Sequence, residues 1–184
     1  LVHLDLDLFD EQSLLFELRL GNRVMCLRGP SELLEPLELC DGQRLTLGDT
    51  TLTLTLTPGH TLGTISTLIP VRDAGRPHLA AYWGGSAFNW VTNRAGYITP
   101  ERPDRFWFGR YIDSARRFRQ LAAEAGADVL LSNHTAFDGS KTKLPALAAR
   151  QPSGPHPYVI GTSAVERYLT VAEECAKAGL LRVP

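Results

Sequence analysis

The sequence predicts a mixed α/β fold in which a largely antiparallel sheet is covered by helices. Leucine and threonine alternate over 44–57, and this period of two predicts a hairpin. Apolar residues recur at helical spacing over 106–125. A short, continuous apolar strand over 128–131 and a final helix over 162–178 follow. Hairpins first and then helix, strand and helix are typical of a mixed α/β domain.

The composition limits the function classes. The chain has 184 residues, a formal net charge of −1 and 43% hydrophobic residues, which is typical of one domain with an ordinary core. A pI near 6.6 gives no electrostatic signature of a nucleic-acid partner or an anionic membrane surface. No apolar run reaches the roughly 18 residues of a membrane span. We therefore expect a small-molecule substrate, with no nucleic-acid and no membrane partner, and leave a homo-oligomer open.

The N-terminus leaves the localisation open. The chain begins at Leu1 rather than at a methionine, and its first residues already alternate like a strand. We expect that upstream sequence is missing. A targeting signal would lie in that upstream sequence, so the cytoplasm and the periplasm or exterior both remain possible.

Three cysteines, Cys26, Cys40 and Cys175, are far apart in the sequence. They form no Cys-x-x-Cys pair, so neither a disulfide framework nor a thiolate zinc site is indicated. We expect them to be small buried hydrophobic residues.

The first forty residues are predicted in four segments. These are a strand over 2–8, a helix from its N-cap Asp10 to about Leu20 that ends at Gly21, a short strand over 23–27, and a loop or broken helix over 28–41.

The rest of the chain is predicted in more detail. After the hairpin come strands over 64–71 and 78–83, a loop over 87–104, the helix over 106–125, the strand over 128–131, a loop with one weak helical turn over 138–157, and the last helix, which starts with a capping box at 162–166 and ends at Gly179.

Two histidines each follow a predicted strand. His60 comes after the Pro58-Gly59 turn, and His134 comes after the strand over 128–131. A residue just beyond a strand stands at the rim of the sheet, where a neutral imidazole can bind a metal ion. If both rims lie on one edge, His60 and His134 can bind the same ion. Catalytic zinc needs three protein ligands and one open position.

The motifs around these histidines resemble those of a known superfamily. Thr57-Pro-Gly-His60-Thr-Leu-Gly63, Gly84-Gly-Ser86 and Leu130-Leu-Ser-Asn-His134 are similar to the later motifs of the metallo-β-lactamase-fold hydrolases. The resemblance implies an αβ/βα sandwich of two sheets flanked by helices, with 1–184 as the C-terminal portion of that single-domain fold. It also implies one or two zinc ions at one edge, with His60 as the third histidine of the first zinc site and His134 as the histidine of the second.

The early part of the chain departs from the superfamily pattern, which is His-x-His-x-Asp-His. Here the sequence reads His3-Leu-Asp5-Leu-Asp7-Leu8, so that His3 and Asp7 match while Asp5 and Leu8 replace histidines. One interpretation is a degenerate metal motif in which carboxylate replaces imidazole. The other is the solvent face of an edge strand, where charges prevent unwanted pairing. Leu8 cannot coordinate a metal, so this motif does not supply every ligand of a two-zinc centre.

Several further residues have weaker assignments. Ser86 falls where many relatives carry an aspartate or cysteine ligand. A neutral hydroxyl is a poor zinc ligand, so we expect Ser86 to donate or accept hydrogen bonds beside the metal and to face substrate. His156 is a second candidate for substrate binding, whereas His78 is expected to be merely exposed. Asn133 or Asp138 could orient the His134 ring.

An aromatic group surrounds the Gly84-Gly85 turn in the sequence. We expect at least half of its members to pack in the core and the rest to wall an apolar pocket; the members are Trp83, Phe88, Trp90, Phe106 and Trp107.

Together these features predict a zinc-dependent hydrolase. Hydroxide formed at the metal would attack an ester, lactone, amide or related bond, with His60 and His134 as ligands and His3 and Asp7 as further co-ligands. The alternative is a catalytically inactive domain of the same fold that serves as a binding or assembly module. The replaced histidines at Asp5 and Leu8 favour that alternative.

Overall fold

The computed structural model describes residues 14–20, 23–29 and 35–183. Its strands are β1 (Leu14–Leu20), β2 (Arg23–Gly29), β3 (Glu35–Cys40), β4 (Arg44–Leu47), β5 (Thr50–Leu56), β6 (Ile65–Asp73), β7 (Arg76–Trp83) and β8 (Val129–Ser132). Its helices are α1 (Asn89–Thr92), α2 (Arg94–Tyr97), α3 (Asp104–Glu124), α4 (Ser140–Ala148) and α5 (Thr162–Leu180).

The strands form two sheets, and all but one pairing is antiparallel. β1, β2 and β3 make a three-stranded sheet, and β4 to β8 make a five-stranded sheet in sequence order. Of the strand pairs in the described part of the chain, β7–β8 alone is parallel, because α3 returns the chain across the sheet between the two strands. The predicted mixed α/β architecture with mostly antiparallel sheets and flanking helices is therefore confirmed.

The core of the described region lies between one face of the five-stranded sheet and the helices α3 and α5. Leu68 on β6 pairs with Ala81 on β7, and Ala81 pairs with Leu130 on β8, so the three side chains share a face. They pack against buried residues of both helices, including Phe118 and Leu169, which have no solvent exposure. This packing holds the C-terminal ends of β7 and β8 in fixed positions relative to α3.

The β4–β5 hairpin is confirmed, but its buried face is not only the leucine face. Leu45 pairs with Leu52 across the hairpin. Towards the end of β5 the side chains of Thr55 and Thr57 are also buried, each with 1% exposure. The hydroxyl of Thr57 lies 2.8 Å from that of Ser66 on β6. Buried hydroxyls are tolerated where they are hydrogen-bonded.

Two predictions for the first forty residues were wrong. Leu14–Leu20 is the strand β1 and not part of a helix, and Glu35–Cys40 is the strand β3 within the predicted loop. Both strands pair with β2. The cross-strand hydrogen bonds decide the conformation there, and local helix signals such as Asp10 and Gly21 do not. The strand predicted over 2–8 and the N-cap at Asp10 lie outside the described residues.

The connecting segments hold more helix than predicted. The loop over 87–104 contains the two short helices α1 and α2, and the weak turn after Asp138 is the nine-residue helix α4. The last helix is confirmed, but its capping box was wrong. Gly161, with φ of +84°, is the N-cap, and no side chain caps the helix. A positive φ is available to glycine without strain, so the chain enters the helix there.

The cysteine prediction was also wrong where it can be checked. Cys40 and Cys175 are both free and exposed. Both side chains reach solvent, so neither belongs to the core. Among the described residues, no helix combines the length and apolar character that crossing a membrane requires.

Candidate metal centre

Three strand ends meet at one edge of the five-stranded sheet. β5 and β7 are both antiparallel to β6, and β8 is parallel to β7. β5, β7 and β8 therefore run in the same direction and end at the same edge. His60, Ser86 and His134 each follow one of these ends within four residues. We call the edge formed by these three residues the histidine edge.

The turn before His60 is pressed against α3. Gly59 has a φ of +153°, and a Cβ built there would lie 2.7 Å from the Cα of Tyr111. The hydroxyl of Ser114 donates to the carbonyl of Pro58 at 2.6 Å. Glycine is required here because the turn combines a positive φ with close contact to a helix backbone. The backbone leading to His60 is thereby fixed.

The ring of His60 has a defined tautomer. Its Nδ1 lies 2.9 Å from the carbonyl oxygen of Ala87. A carbonyl oxygen only accepts, so Nδ1 carries the proton and Nε2 carries the lone pair. Nε2 lies 3.1 Å from Nδ2 of Asn89, which also donates to the hydroxyl of Tyr97 at 3.0 Å. Metal-bound histidines usually donate their other ring N–H to a carbonyl or carboxylate, as His60 does to Ala87.

Ser86 joins the β7 end to the β8 end. It is buried, and its hydroxyl donates to Oδ1 of Asn133 at 2.8 Å and lies 2.6 Å from the hydroxyl of Ser132. The backbone N–H of His134 donates to that same Ser132 hydroxyl at 3.4 Å. Ala87 is hydrogen-bonded to His60, and the adjacent Ser86 is hydrogen-bonded to the two residues before His134. The turn after β7 therefore contacts the segments that carry both histidines.

His134 itself is exposed, with its ring centroid 6.0 Å from that of Phe137. The two residues expected to orient its ring have other partners. Asn133 accepts from Ser86, and the buried Asp138 accepts from the backbone N–H groups of Ser132 and Ser140. Asp138 therefore shapes the loop that carries His134.

The donor set fits a metal ion only in part. His60 has the right tautomer, and His134 is open to solvent. Within the described ranges, no three histidine, cysteine or acidic side chains are close enough together to hold an ion. His3, Asp5 and Asp7 lie outside the described residues.

The two other histidines that the structure describes, His78 and His156, lie at the opposite end of β7. His78 was expected to be exposed, but its side chain is only 17% exposed and its Nδ1 is hydrogen-bonded to Asp128 at 2.5 Å. Asp128 precedes β8, so this contact links the starts of two neighbouring strands. His156 lines a cavity with His78 and Asp73 there. The structure does not bring it to the histidine edge, and its substrate role stays a prediction.

Sequence reasoning missed three residues at the histidine edge. These are Asn89 and Tyr97, which form a hydrogen-bonded chain to His60, and Tyr111, whose hydroxyl donates to the carbonyl of Gly85. Burial raises the pKa of Tyr111 above its usual value, so its hydroxyl stays protonated. No pattern in the sequence marks these residues, because the fold brings them to the turns they contact.

The aromatic group divides as expected. Trp83, Trp90 and Trp107 are buried in the core, with exposures of 3% or less. Phe106 is partly buried against that core, and Phe88 lines a cavity beside Ser86.

The fold matches solved metallo-β-lactamases, including BJP-1, a subclass B3 enzyme. BJP-1 of Bradyrhizobium japonicum is 26% identical, with a TM-score of 0.58 over 78% of this chain and 50% of that chain. FEZ-1 from Legionella gormanii is 24% identical, with a TM-score of 0.57 over 77% of this chain and 50% of that chain. A metallo-β-lactamase from Cronobacter sakazakii, described by a HARLDQ motif, is 22% identical, with a TM-score of 0.54 over 79% of this chain and 50% of that chain.

No protein-family model matches the chain, and no curated protein matches it significantly. The chain spans about half the length of the solved structures that it matches. The predicted resemblance to the metallo-β-lactamase-fold superfamily is confirmed at the level of the fold.

Proposed function

We propose that this chain, which has the metallo-β-lactamase fold, is the C-terminal part of a metal-dependent hydrolase. The metal is zinc, in one or two ions. His60 and His134 are its ligands, and His3 and Asp7 are co-ligands. The bond cleaved is an ester, a lactone, an amide or a related bond.

The observation that carries the proposal is the meeting of three strand ends at the histidine edge. His60 lies against the carbonyl of Ala87, and the neighbouring Ser86 is hydrogen-bonded to the two residues before His134. More than seventy residues separate the two histidines in the sequence, yet one turn contacts both segments. Functional residues often occupy loops at the ends of strands that a rigid core positions.

The chain's own groups have distinct roles in this proposal. Ala87 fixes the tautomer of His60, so that Nε2 offers its lone pair to the ion. Ser86 holds the β8 end in place and lies beside the substrate. A bound zinc ion lowers the pKa of a coordinated water to about 7 and polarises the oxygen under attack.

The Cronobacter sakazakii neighbour gives the early motif some support. The motif in its description, His-Ala-Arg-Leu-Asp-Gln, keeps histidine first and aspartate fifth. Residues 3–8 of this chain, His-Leu-Asp-Leu-Asp-Leu, keep the same two and replace the same third and sixth positions. This parallel favours His3 and Asp7 as a retained pair over a chance surface pattern.

The test measures bound zinc and hydrolysis together. We expect the purified chain to bind zinc, as measured by elemental analysis after dialysis, and to hydrolyse at least one member of a panel of esters, lactones and β-lactams. His60→Ala and His134→Ala should each lose zinc and activity. His78→Ala removes an imidazole at the other end of β7 and should keep the zinc.

The second candidate is an inactive domain that binds or assembles with a partner. The contact between Nδ2 of Asn89 and Nε2 of His60 favours it, since the amide satisfies the nitrogen that a metal would need. In that case the chain binds no zinc, and His60→Ala folds as the wild type does. Zinc bound in stoichiometric amount and lost in His60→Ala would exclude this candidate.

A further inference from the structure

An apolar cavity of about 450 Å³ opens beside Ser86. Its rim carries three of the large hydrophobic side chains that are most exposed in the described region, namely Val91 at 49%, Phe137 at 42% and Val171 at 59%. Exposed apolar side chains are unremarkable when scattered, but a group around one opening marks a binding site. We call this space the rim cavity.

Among the residues that the structure describes, those lining the rim cavity include no ionised side chain. Its remaining lining residues are Ser86, Ala87, Phe88, Thr92, Tyr111, Tyr168, Ala172 and Cys175. Burial raises the pKa of Tyr168 to about 12, so this tyrosine is neutral at physiological pH. The ligand chemistry that suits such walls is a neutral alkyl or aryl group, because an ion would lose its hydration without gaining a counter-charge.

The rim cavity is continuous with the histidine edge. Ser86 and Ala87 line the cavity, and the carbonyl of Ala87 is the group that contacts the ring of His60. On the other side, Phe137 lies in the cavity wall, and its ring centroid is 6.0 Å from that of His134. The cavity therefore shares wall residues with the contacts of both candidate metal ligands.

The size of the rim cavity favours part of a small molecule as its occupant. Small-molecule sites generally have volumes of about 300–1,000 Å³ and predominantly apolar walls. A stable protein partner would instead cover on the order of 800 Å² of surface on each side. The cavity lies between α1, α3, α5 and the loop after β8, which is a pocket between elements and not a flat face.

We propose that the rim cavity binds an alkyl or aryl group of the substrate and so places the bond to be cleaved at the histidine edge. The placement of the bond to be cleaved rests on the proposed hydrolase function. The binding of an alkyl or aryl group in the rim cavity does not depend on that function. It narrows the substrate to esters, lactones or amides that carry such a group on one side of the bond.

Two exposed cysteines allow a binding test that does not depend on activity. Cys175 lines the rim cavity, whereas Cys40 is exposed elsewhere. The probes are acetate, hexanoate and octanoate, and the measurement is the rate of iodoacetamide alkylation at each cysteine by mass spectrometry. Hexanoate and octanoate should protect Cys175, with affinity rising by up to about fourfold per methylene buried. Acetate should give Cys175 little protection. The alkylation rate of Cys40 should be the same with all three probes.

A matched pair of variants locates the binding. Val171→Ser removes an apolar side chain from the rim and should weaken octanoate protection of Cys175 by about threefold or more. Leu181→Ser removes a side chain that is 87% exposed and does not line the cavity, and it should leave protection unchanged. Equal alkylation of Cys175 with all three probes, or equal effects of the two variants, would overturn the inference.

Hydrolysis of p-nitrophenyl acetate, hexanoate and octanoate separates this inference from the proposed function. The inference expects kcat/KM to rise with chain length, and Val171→Ser to flatten that rise. Protection of Cys175 without any hydrolysis would support the rim cavity and reject the hydrolase. Hydrolysis that is independent of acyl-chain length, together with no protection of Cys175, would support the hydrolase and reject binding in the rim cavity.

Discussion

Ser86 is the residue that most directly joins the strand ends at the histidine edge. Its buried hydroxyl contacts both Ser132 and Asn133, the two residues before His134. The same position in the sequence was identified only because a metal ligand often stands there in relatives. Its role in this chain is better explained by the geometry it imposes, since a neutral hydroxyl binds zinc weakly.

Removing that hydroxyl should loosen the histidine edge. We expect Ser86→Ala to lower the free energy of unfolding by about 1–2 kcal/mol, because Asn133 and Ser132 lose a buried partner. Urea denaturation measures this change. Ser163→Ala is the control: Ser163 is exposed and caps no helix, so it should cost less than about 0.5 kcal/mol. Similar costs for both variants would contradict the linking role of Ser86.

The histidines could be predicted from the sequence, but the residues around them could not. His60 and His134 each follow a strand and a turn, and that order can be recognised in the amino-acid sequence. Asn89 contacts His60 only because β7 places the following loop beside the β5 end. Twenty-nine residues separate the pair, and no local pattern encodes such a contact.

At the scale of elements, the turn between β5 and His60 depends on one glycine. We expect Gly59→Ala to destabilise the protein by at least about 2 kcal/mol, since it adds steric overlap with the Tyr111 backbone to an unfavourable φ. Gly42 also has a positive φ, +79°, but nothing lies within 4 Å of a Cβ built there. Gly42→Ala should therefore cost only about 1–2 kcal/mol. Thermal or urea unfolding compares the two variants, and a larger cost at Gly42 would contradict this account.

The packing of α3 against α5 includes a buried carboxylate. Glu173 on α5 is 2% exposed and forms ion pairs with Arg116 at 3.0 Å, Arg119 at 3.2 Å and Lys177 at 2.8 Å. Burial opposes ionisation of this carboxyl, but the hydrogen bonds from Lys177 and Arg116 outweigh it and hold the pKa of Glu173 below its usual value. The ion pairs therefore stabilise the folded state.

Neutralising Glu173 should weaken this interface. We expect Glu173→Gln to lower the free energy of unfolding by about 1–2 kcal/mol at pH 7, a discounted value because the cationic partners remain partly hydrated. Glu174→Gln removes a neighbouring carboxylate that is 59% exposed, and it should change stability by less than about 0.5 kcal/mol. Urea denaturation measures the free energy of unfolding of both variants. Equal losses of stability would contradict the role assigned to Glu173.

The same carboxylate predicts a pH dependence. Because the folded pKa of Glu173 lies below its unfolded value of about 4.3, its contribution is complete above that pH and is lost as the pH falls below it. The free energy of unfolding should fall less steeply in Glu173→Gln than in the wild type between about pH 5 and pH 3. Parallel pH profiles for the two proteins would contradict this prediction.

The elements that the sequence predicted correctly have a single dominant pattern. The β4–β5 hairpin has a strict alternation of leucine and threonine, and α3 repeats apolar residues over five turns. Leu14–Leu20 was predicted as helix because Asp10 and Gly21 suggested caps, although Phe16, Leu18 and Leu20 also alternate with Glu17 and Arg19. Pairing with β2 resolved the conflict in favour of a strand.

At the scale of the whole molecule, the two ends of the five-stranded sheet differ in chemistry. One end is the histidine edge. The other is held by a two-hydrogen-bond ion pair between Arg150 and Asp73, at 2.7 and 2.6 Å, and by the contact between His78 and Asp128. The Arg150 guanidinium beside Asp73 holds the pKa of that carboxyl below its usual value. This end ties α4 and the β6–β7 hairpin together and supports the fold.

A substitution at that far end should separate stability from metal binding. We expect Arg150→Met to lower the thermal unfolding midpoint, because Asp73 loses its bidentate partner. The zinc content of the folded protein should remain that of the wild type, since no part of the histidine edge is touched. Differential scanning calorimetry and elemental analysis measure the two effects. Loss of zinc with an unchanged unfolding midpoint would show that the two ends are not independent.

The convergence of the two imidazoles is most directly tested by anomalous diffraction at the zinc edge from crystals of the chain grown with zinc. We predict zinc bonded at about 2.0–2.1 Å to Nε2 of His60 and to a ring nitrogen of His134, as one shared ion or two adjacent ions, with the amide of Asn89 displaced from His60. A zinc peak on His134 alone, with Nε2 of His60 still hydrogen-bonded to Asn89, would contradict the account.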